Sequence, residues 1–277
     1  MRDRLANLQT IYDARAPTYD KETGFHPSQA ADYLKWMSLK PGVNVLDLAC
    51  GTGAIAIPAA RAVGPSGKVI GVDISPASLS IARAKAEKDN LNARFIQHDV
   101  SSLQGVEGIE EDTFDIITCA SAFVLLEDPS SAVKSWAKLL KKGGRLIFDV
   151  PTNDSMVQGL VLDQVAEELG IMVVYGRMRL NSEEEVRRLL TDAGMDDTES
   201  FPTRNYRGPE EYSAEKAGEM FDSMVSEEWS FWYKDLAAPN LRGVAREIFS
   251  REFEKKADQD GKIKSYLRLH MAVGKRV

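Results

Sequence analysis

The stretch Val43-Asn-Val-Leu-Asp-Leu-Ala-Cys-Gly-Thr-Gly53 constrains this chain more than any other. Its apolar run, residues 43–48, reads as a strand buried on both faces. The strand carries an acid, Asp47, close to its end. Gly51 and Gly53 allow a tight turn and close backbone approach to a ligand. Residues 54–63 then read as a helix with Pro58 as an early interruption. The first turn of that helix offers N–H groups to a polar ligand. Strand, glycine turn and helix in that order make a nucleotide-type cofactor site.

Two kinds of ligand fit such a turn. Gly51-Thr-Gly-Ala-Ile-Ala56 satisfies the loose dinucleotide pattern. An acid at Asp47 would sit unfavourably close to a pyrophosphate. Two further acids follow. Lys68-Val-Ile-Gly-Val-Asp73 is a second buried strand ending in a carboxylate that suits a ribose diol. Asp73 could instead cap the helix starting near Ser75-Pro76, but Ser75 can do that itself. Phe95-Ile-Gln-His-Asp-Val100 is a third strand with an acid, Asp99, which could also serve as a loop residue capping Ser101 or Ser102.

Asp47-Leu-Ala-Cys-Gly-Thr-Gly53 resembles motif I of the class I S-adenosylmethionine (SAM) methyltransferases. The resemblance implies that Asp47, Ala49, Cys50, Gly51 and Gly53 hold the methionine end of SAM. It also implies that Asp73 binds the ribose and Asp99 the adenine amino group, with Ile74 and Val100 sandwiching the ring. Residues 114–119 resemble the fourth strand, leading to the methyl-transfer loop at 120–123, which places Cys119 by the cofactor and Phe123 by the acceptor. Leu139-Leu-Lys-Lys-Gly-Gly144 resembles the stretch before the fifth strand, with Lys142 where proline is usual. There the glycines would stop a helix that starts near Ser130. Tyr12 and Tyr19 resemble an N-terminal tyrosine motif that closes over the methionine end, Tyr19 against the cofactor and Tyr12 towards the acceptor. Packing of their helix on the sheet is the other reading. The likeness covers roughly residues 12–151 and, more weakly, 182–206 and 262–277.

The expected fold is α/β: a Rossmann-like, doubly wound, seven-stranded sheet with an antiparallel last strand and an α-helical lid. The expected domains are an N-terminal helical cap at 1–40, a SAM-binding domain at 41–207 and 259–277, and a helical lid at 208–258. Helices are expected over 1–20, 28–39, 154–169 and 182–193, with strand six near 197–206. The lid carries expected helices at 210–225 and 240–256, and the final strand should span 262–273 at or near the sheet edge. The run Trp229-Ser-Phe-Trp-Tyr233 would be lid core or the wall of an apolar acceptor pocket, with Trp229 and Trp232 as acceptor residues.

Methyl transfer from SAM is an in-line displacement that mainly requires alignment and the exclusion of water. Hydroxyl or acidic C–H acceptors also require loss of a proton. Nothing in the sequence settles the proton acceptor. His26 is the first candidate, with a loop or cap histidine as the other reading; His98 reads as a strand-end residue. The three histidines are too dispersed for a metal pattern.

Net charge of −7 disfavours a nucleic-acid partner, and no Asn-Pro-Pro-Tyr motif follows strand four. No apolar run approaches membrane length, and the charged start lacks a signal peptide's apolar stretch. Two cysteines argue against a disulfide framework and suit a reducing cytoplasm. The reading is a SAM-dependent methyltransferase for a small, rather apolar acceptor, of the quinone-biosynthesis-like branch, acting as a monomer or homodimer. A non-methylating SAM-fold cyclase or regulator, and a nicotinamide oxidoreductase, are the alternatives.

Overall fold

The computed structural model describes residues 2–22, 24–171, 182–226 and 233–277. They form two compact units: residues 1–149, 183–201 and 270–277, and residues 150–182 and 202–269. The second unit takes in residues 150–182 as well as the expected 208–258 stretch.

The first unit is built on a seven-stranded sheet in the order β3-β2-β1-β4-β5-β9-β6, its last strand antiparallel. β1 (Asn44–Leu48) pairs in parallel with β2 (Lys68–Asp73) on one side and β4 (Phe114–Cys119) on the other. β3 (Ala93–Gln97) flanks β2, and β5 (Leu140–Pro151) flanks β4. β6 is Met195–Pro202 and β9 Leu269–Arg276. Val45, Leu46, Leu48, Ile70 and Val72 are all fully or almost fully buried, which is why β1 and β2 read as unbroken apolar runs. From β1 the chain winds one way to β2 and β3, then returns to β4 and β5 on the other side. The carboxyl ends of β1 and β4 therefore flank the switch point, where open α/β sheets bind ligands.

The helices of this unit are α1 (Arg2–Arg15), α2 (Tyr19–Glu22), α3 (His26–Met37), α4 (Ala56–Val63), α5 (Pro76–Lys88), α6 (Pro129–Leu139) and α8 (Glu183–Asp192). Pro58 does not interrupt α4. It lies in the first turn, where an N–H has no carbonyl to reach. Ser75 caps α5, its Oγ accepting from Ser78 N at 3.1 Å, and Pro76 takes the first helical position.

In the second unit, α7 (Val157–Glu168), α9 (Ala217–Met224) and α10 (Arg242–Glu254) pack around Val161, Leu162, Phe221, Phe249 and Phe253. The Phe249 and Phe253 rings stack with centroids 5.2 Å apart.

Three local expectations need correction. Gly143-Gly144 does not stop a helix: α6 ends at Leu139 and β5 begins at the next residue. The glycines lie inside β5 at an irregularity, where pairing moves from Phe114↔Leu140 to Ile116↔Arg145. A Cβ at Gly144 would lie 2.9 Å from Lys141 O. Residues 210–213 are not helical but form strand β7 (Glu210–Ser213), antiparallel to β8 (Lys262–Ser265). The expected strand 262–273 is thereby split: β8 serves the two-stranded ribbon, and β9 enters the main sheet between β5 and β6. Alternating hydrophobicity marks a strand but does not say which neighbour it pairs with.

Candidate functional site

A cavity of about 360 Å³ lies over the strand ends of the first unit. Its wall follows the sheet order. Asp99, Val100 and Ser101 come after β3, Asp73 and Ile74 from the end of β2, Ala49 and Gly51 from the turn after β1, and Ala120, Ser121 and Ala122 from the loop after β4. Leu5, Leu8 and Tyr12 of α1 and Tyr19 of α2 line it as well. Leu125, Leu126 and the start of α6 complete the lining.

Asp73 is the most constrained acid of this wall. It is 8% exposed; its Oδ2 accepts from Gly51 N at 2.8 Å and its Oδ1 from Ser75 N at 2.9 Å. Burial raises its pKa, against the pull of these N–H groups. A glycine-turn N–H that a pyrophosphate would need is thus committed to a carboxylate, and the surrounding acids oppose an anion. Asp99 Oδ1 accepts from Ser101 N at 2.9 Å and Ser101 Oγ at 2.8 Å, so the loop-capping contact forms while the residue still lines the cavity. Trp136 Nε1 donates to Val100 O at 2.8 Å and anchors this loop to α6. Gly51 has φ +51° and open space where a Cβ would be.

α1 and α2 are fastened over the site. Asp13 Oδ1 accepts from Ser75 Oγ at 2.6 Å and Ala77 N at 3.2 Å, which places a carboxylate at the N-terminus of α5. Asp20 accepts from Thr52 Oγ1 and, at 2.7 Å, from Lys85 Nζ. Arg4 donates to Leu125 O. The Arg15 guanidinium lies 5.7 Å from the Tyr12 ring and 5.1 Å from the Tyr19 ring. Burial is the main cause that pushes the Tyr19 hydroxyl well above its ordinary range.

Six expected site residues stand elsewhere. Phe123 is not an acceptor contact; it is 1% exposed, stacked on Phe148 at 4.0 Å and edge-on to Trp136. Cys50 and Cys119 are buried behind the wall, where desolvation raises both thiols well above the usual cysteine range. The Gly71 Cα approaches Cys50 so closely that a Cβ there would lie 2.7 Å from Sγ. Gly53, at φ +88°, leaves room for Ile57: a Cβ on this residue would lie 2.8 Å from Ile57 Cγ1. Asp47 lies within β1, its Oδ1 accepting from Thr118 Oγ1 at 2.7 Å across the Asp47↔Thr118 register, and burial raises it to about 7. His26 heads α3, outside the lining; its ring stacks on Tyr19 at 5.2 Å. Trp229 and Trp232 lie outside the described residues.

Sequence reasoning missed a buried cluster at the end of β5. Asp149, 1% exposed, accepts from Tyr33 Oη at 2.5 Å, Gln29 Nε2 at 2.9 Å and Ser121 N at 3.1 Å. Burial raises its pKa to about 6, with these donors opposing. The signal that could have found it is the one that marks the other strand ends, a buried strand running into an acid: Leu-Ile-Phe-Asp149. Among the described residues no acid and histidine cluster could hold a metal ion, and no helix is long and apolar enough to cross a membrane.

Residues 39–194 match the family model of a methyltransferase domain. The chain belongs to the class I SAM-dependent methyltransferases. This methyltransferase is 33% identical over 146 residues to a demethylmenaquinone methyltransferase of Lactococcus lactis, a match that takes in 50% of the chain but only 56% of that relative. It is 30% identical over 203 residues to the ubiquinone/menaquinone biosynthesis C-methyltransferase UbiE of a Marinomonas species, covering 70% of the chain and 78% of the relative. The solved structure of the YcgJ protein from Bacillus subtilis shares the methyltransferase's fold, with a TM-score of 0.57 at 20% identity over 90% of this chain and 99% of that one.

Proposed function

We propose that this methyltransferase moves a methyl group from SAM to a small, rather apolar acceptor of the reduced-quinone kind. One observation carries the reading: cavity-lining carboxylates at the ends of adjacent strands, Asp99 and Asp73, continuing into the glycine turn at Gly51. The donor set fits the cofactor. Asp73 suits a ribose diol, Asp99 an adenine amino group, and Ile74 and Val100 two ring faces. Ala49 and Gly51 would meet the methionine end. A net-cationic cofactor also suits a wall rich in carboxylates better than an anionic dinucleotide does.

When bound, SAM supplies a methyl carbon activated by a sulfonium. The chain's own residues hold and dry the site. Leu5, Leu8, Tyr12 and Tyr19 close over the cavity and exclude water, secured by Asp13 and Asp20. Leu125, Leu126 and Ala122 give an apolar acceptor a surface to bury against. The quinone methyltransferases among the relatives support a reduced quinone as the acceptor class. The buried free cysteines suit a reducing compartment such as the cytoplasm.

Isothermal calorimetry with SAM, S-adenosylhomocysteine and NAD tests the cofactor. The expected outcome is micromolar binding of the first two and none of NAD; NAD binding without SAM binding would reject the reading. Incubation with SAM and 1,4-naphthohydroquinone tests the acceptor class, with a product heavier by one methylene as the expected outcome.

A further inference from the structure

The buried cluster behind Ser121 has a direction built into it. Asp149 Oδ2 accepts from Tyr33 Oη and Gln29 Nε2, and both Asp149 oxygens lie 3.1 Å from Ser121 N. An ionised carboxylate only accepts hydrogen bonds. The nitrogen end of the Gln29 amide must therefore face Asp149, where it also reaches Ser121 Oγ at 2.8 Å. The oxygen end, Oε1, is then turned towards His26, with Nδ1 at 3.1 Å. A carbonyl oxygen cannot donate, so Nδ1 must carry a proton. In a neutral imidazole that leaves the lone pair on Nε2.

The cluster also stands at the right end of the cavity. Adenine, ribose and methionine contacts run from β3 through β2 to β1, so the reactive end of the cofactor falls beside β4, where Ser121 lines the wall. Ser121 has φ +53°, a strained backbone for a serine, and Asp149 holds its N–H in that state. His26 lies one ring behind the wall, stacked on the cavity-lining Tyr19.

We infer that Asp149 and Gln29 are positioning residues that hold His26 in the Nδ1–H tautomer, leaving Nε2 as the proton acceptor for an acceptor molecule that must lose a proton, such as a phenol or hydroquinone. The inference rests on the methyltransferase reading of the same cavity. As the new bond to the methyl carbon forms, the sulfur–carbon bond breaks and sulfur keeps that electron pair. The acceptor's proton passes to Nε2, directly or through one water, giving an imidazolium that later releases it to solvent. Burial lowers the pKa of His26, opposed by Gln29, so the ring is neutral and able to take a proton near pH 7. The charged and titratable groups around it are Asp20, which favours the imidazolium, Arg15, which disfavours it, and the stacked Tyr19. Around Asp149 they are Tyr33 and the Cys119 thiol.

Two-bond nitrogen–proton NMR at pH 7.5 reads the tautomer directly, and three histidines make assignment by substitution simple. In the unmodified protein His26 should show a protonated Nδ1 and a bare Nε2. Asp149→Asn and, separately, Gln29→Leu should shift it to a mixture of tautomers. A wild-type His26 protonated on Nε2 overturns the inference, and so does a tautomer that neither variant changes. The wild-type spectrum does not depend on any variant folding. His26→Asn should reduce turnover of 1,4-naphthohydroquinone by about 10²–10⁴-fold, with the SAM dissociation constant within threefold of wild type. Unchanged turnover overturns the base role. Failure of the methyltransferase reading itself appears separately, as absent SAM binding in calorimetry.

Discussion

Truncating Asp73 to alanine separates its two roles. In the free protein its oxygens accept from Gly51 N at 2.8 Å and Ser75 N at 2.9 Å, and the side chain is 8% exposed. Alanine leaves both N–H groups without that partner, at about 1–3 kcal/mol each. Part of that cost is offset because the lost carboxylate was itself destabilised by burial. A stability loss of about 2 kcal/mol is the expected net, measured by urea denaturation. With SAM, the lost interactions are two charge-assisted hydrogen bonds from the ribose, at about 1.5–3 kcal/mol each. The dissociation constant should rise by about 10²–10⁴-fold. Asp99→Ala removes one such bond and should raise it by about 10–100-fold. Calorimetry on folded samples of both variants is the assay. Asp73→Ala binding SAM within threefold of the parent would refute the ribose assignment, and a larger loss for Asp99→Ala would refute the ordering.

Two further outcomes follow from buried groups. Phe123→Ala should lower stability by about 3–5 kcal/mol, the usual cost of deleting a core aromatic, with SAM affinity unchanged; a normal melting temperature with lost acceptor turnover would restore Phe123 to the site. Asp149 has a folded pKa of about 6, raised above the ordinary aspartate value of 3.8. A buried acid with a raised pKa contributes stability that is present below the unfolded value and lost as pH rises through the folded one. The stability of wild type relative to Asp149→Asn should therefore fall by about 3 kcal/mol between pH 4 and pH 7, at about 1.4 kcal/mol per pKa unit. Paired urea titrations across that window measure it, and a pH-independent difference would refute the burial of an ionisable Asp149.

Much of the sheet and the cofactor wall was legible in the chain itself, because both are local. A strand buried on two faces writes an apolar run, a tight turn writes glycine, and Asp73 and Asp99 follow their strands by a residue or two at most. Lys68–Asp73 came out to the residue, and Tyr12, Tyr19, Ala49, Gly51, Ile74 and Val100 line the cavity with the two acids. The residues that failed did so for non-local reasons. Phe123 was placed by its loop, but its ring is taken up by Phe148 and Trp136, distant in sequence. Cys50, Cys119 and Asp47 share strand ends with the wall yet point into packing that only the assembled sheet creates. Residues 210–213 have no strand character until residues 262–265 pair with them. The cluster of Gln29, Tyr33, Ser121 and Asp149 joins positions up to 120 residues apart. Each hydrogen bond in it exists because α3, β4 and β5 meet, and no spacing along a single segment encodes that meeting.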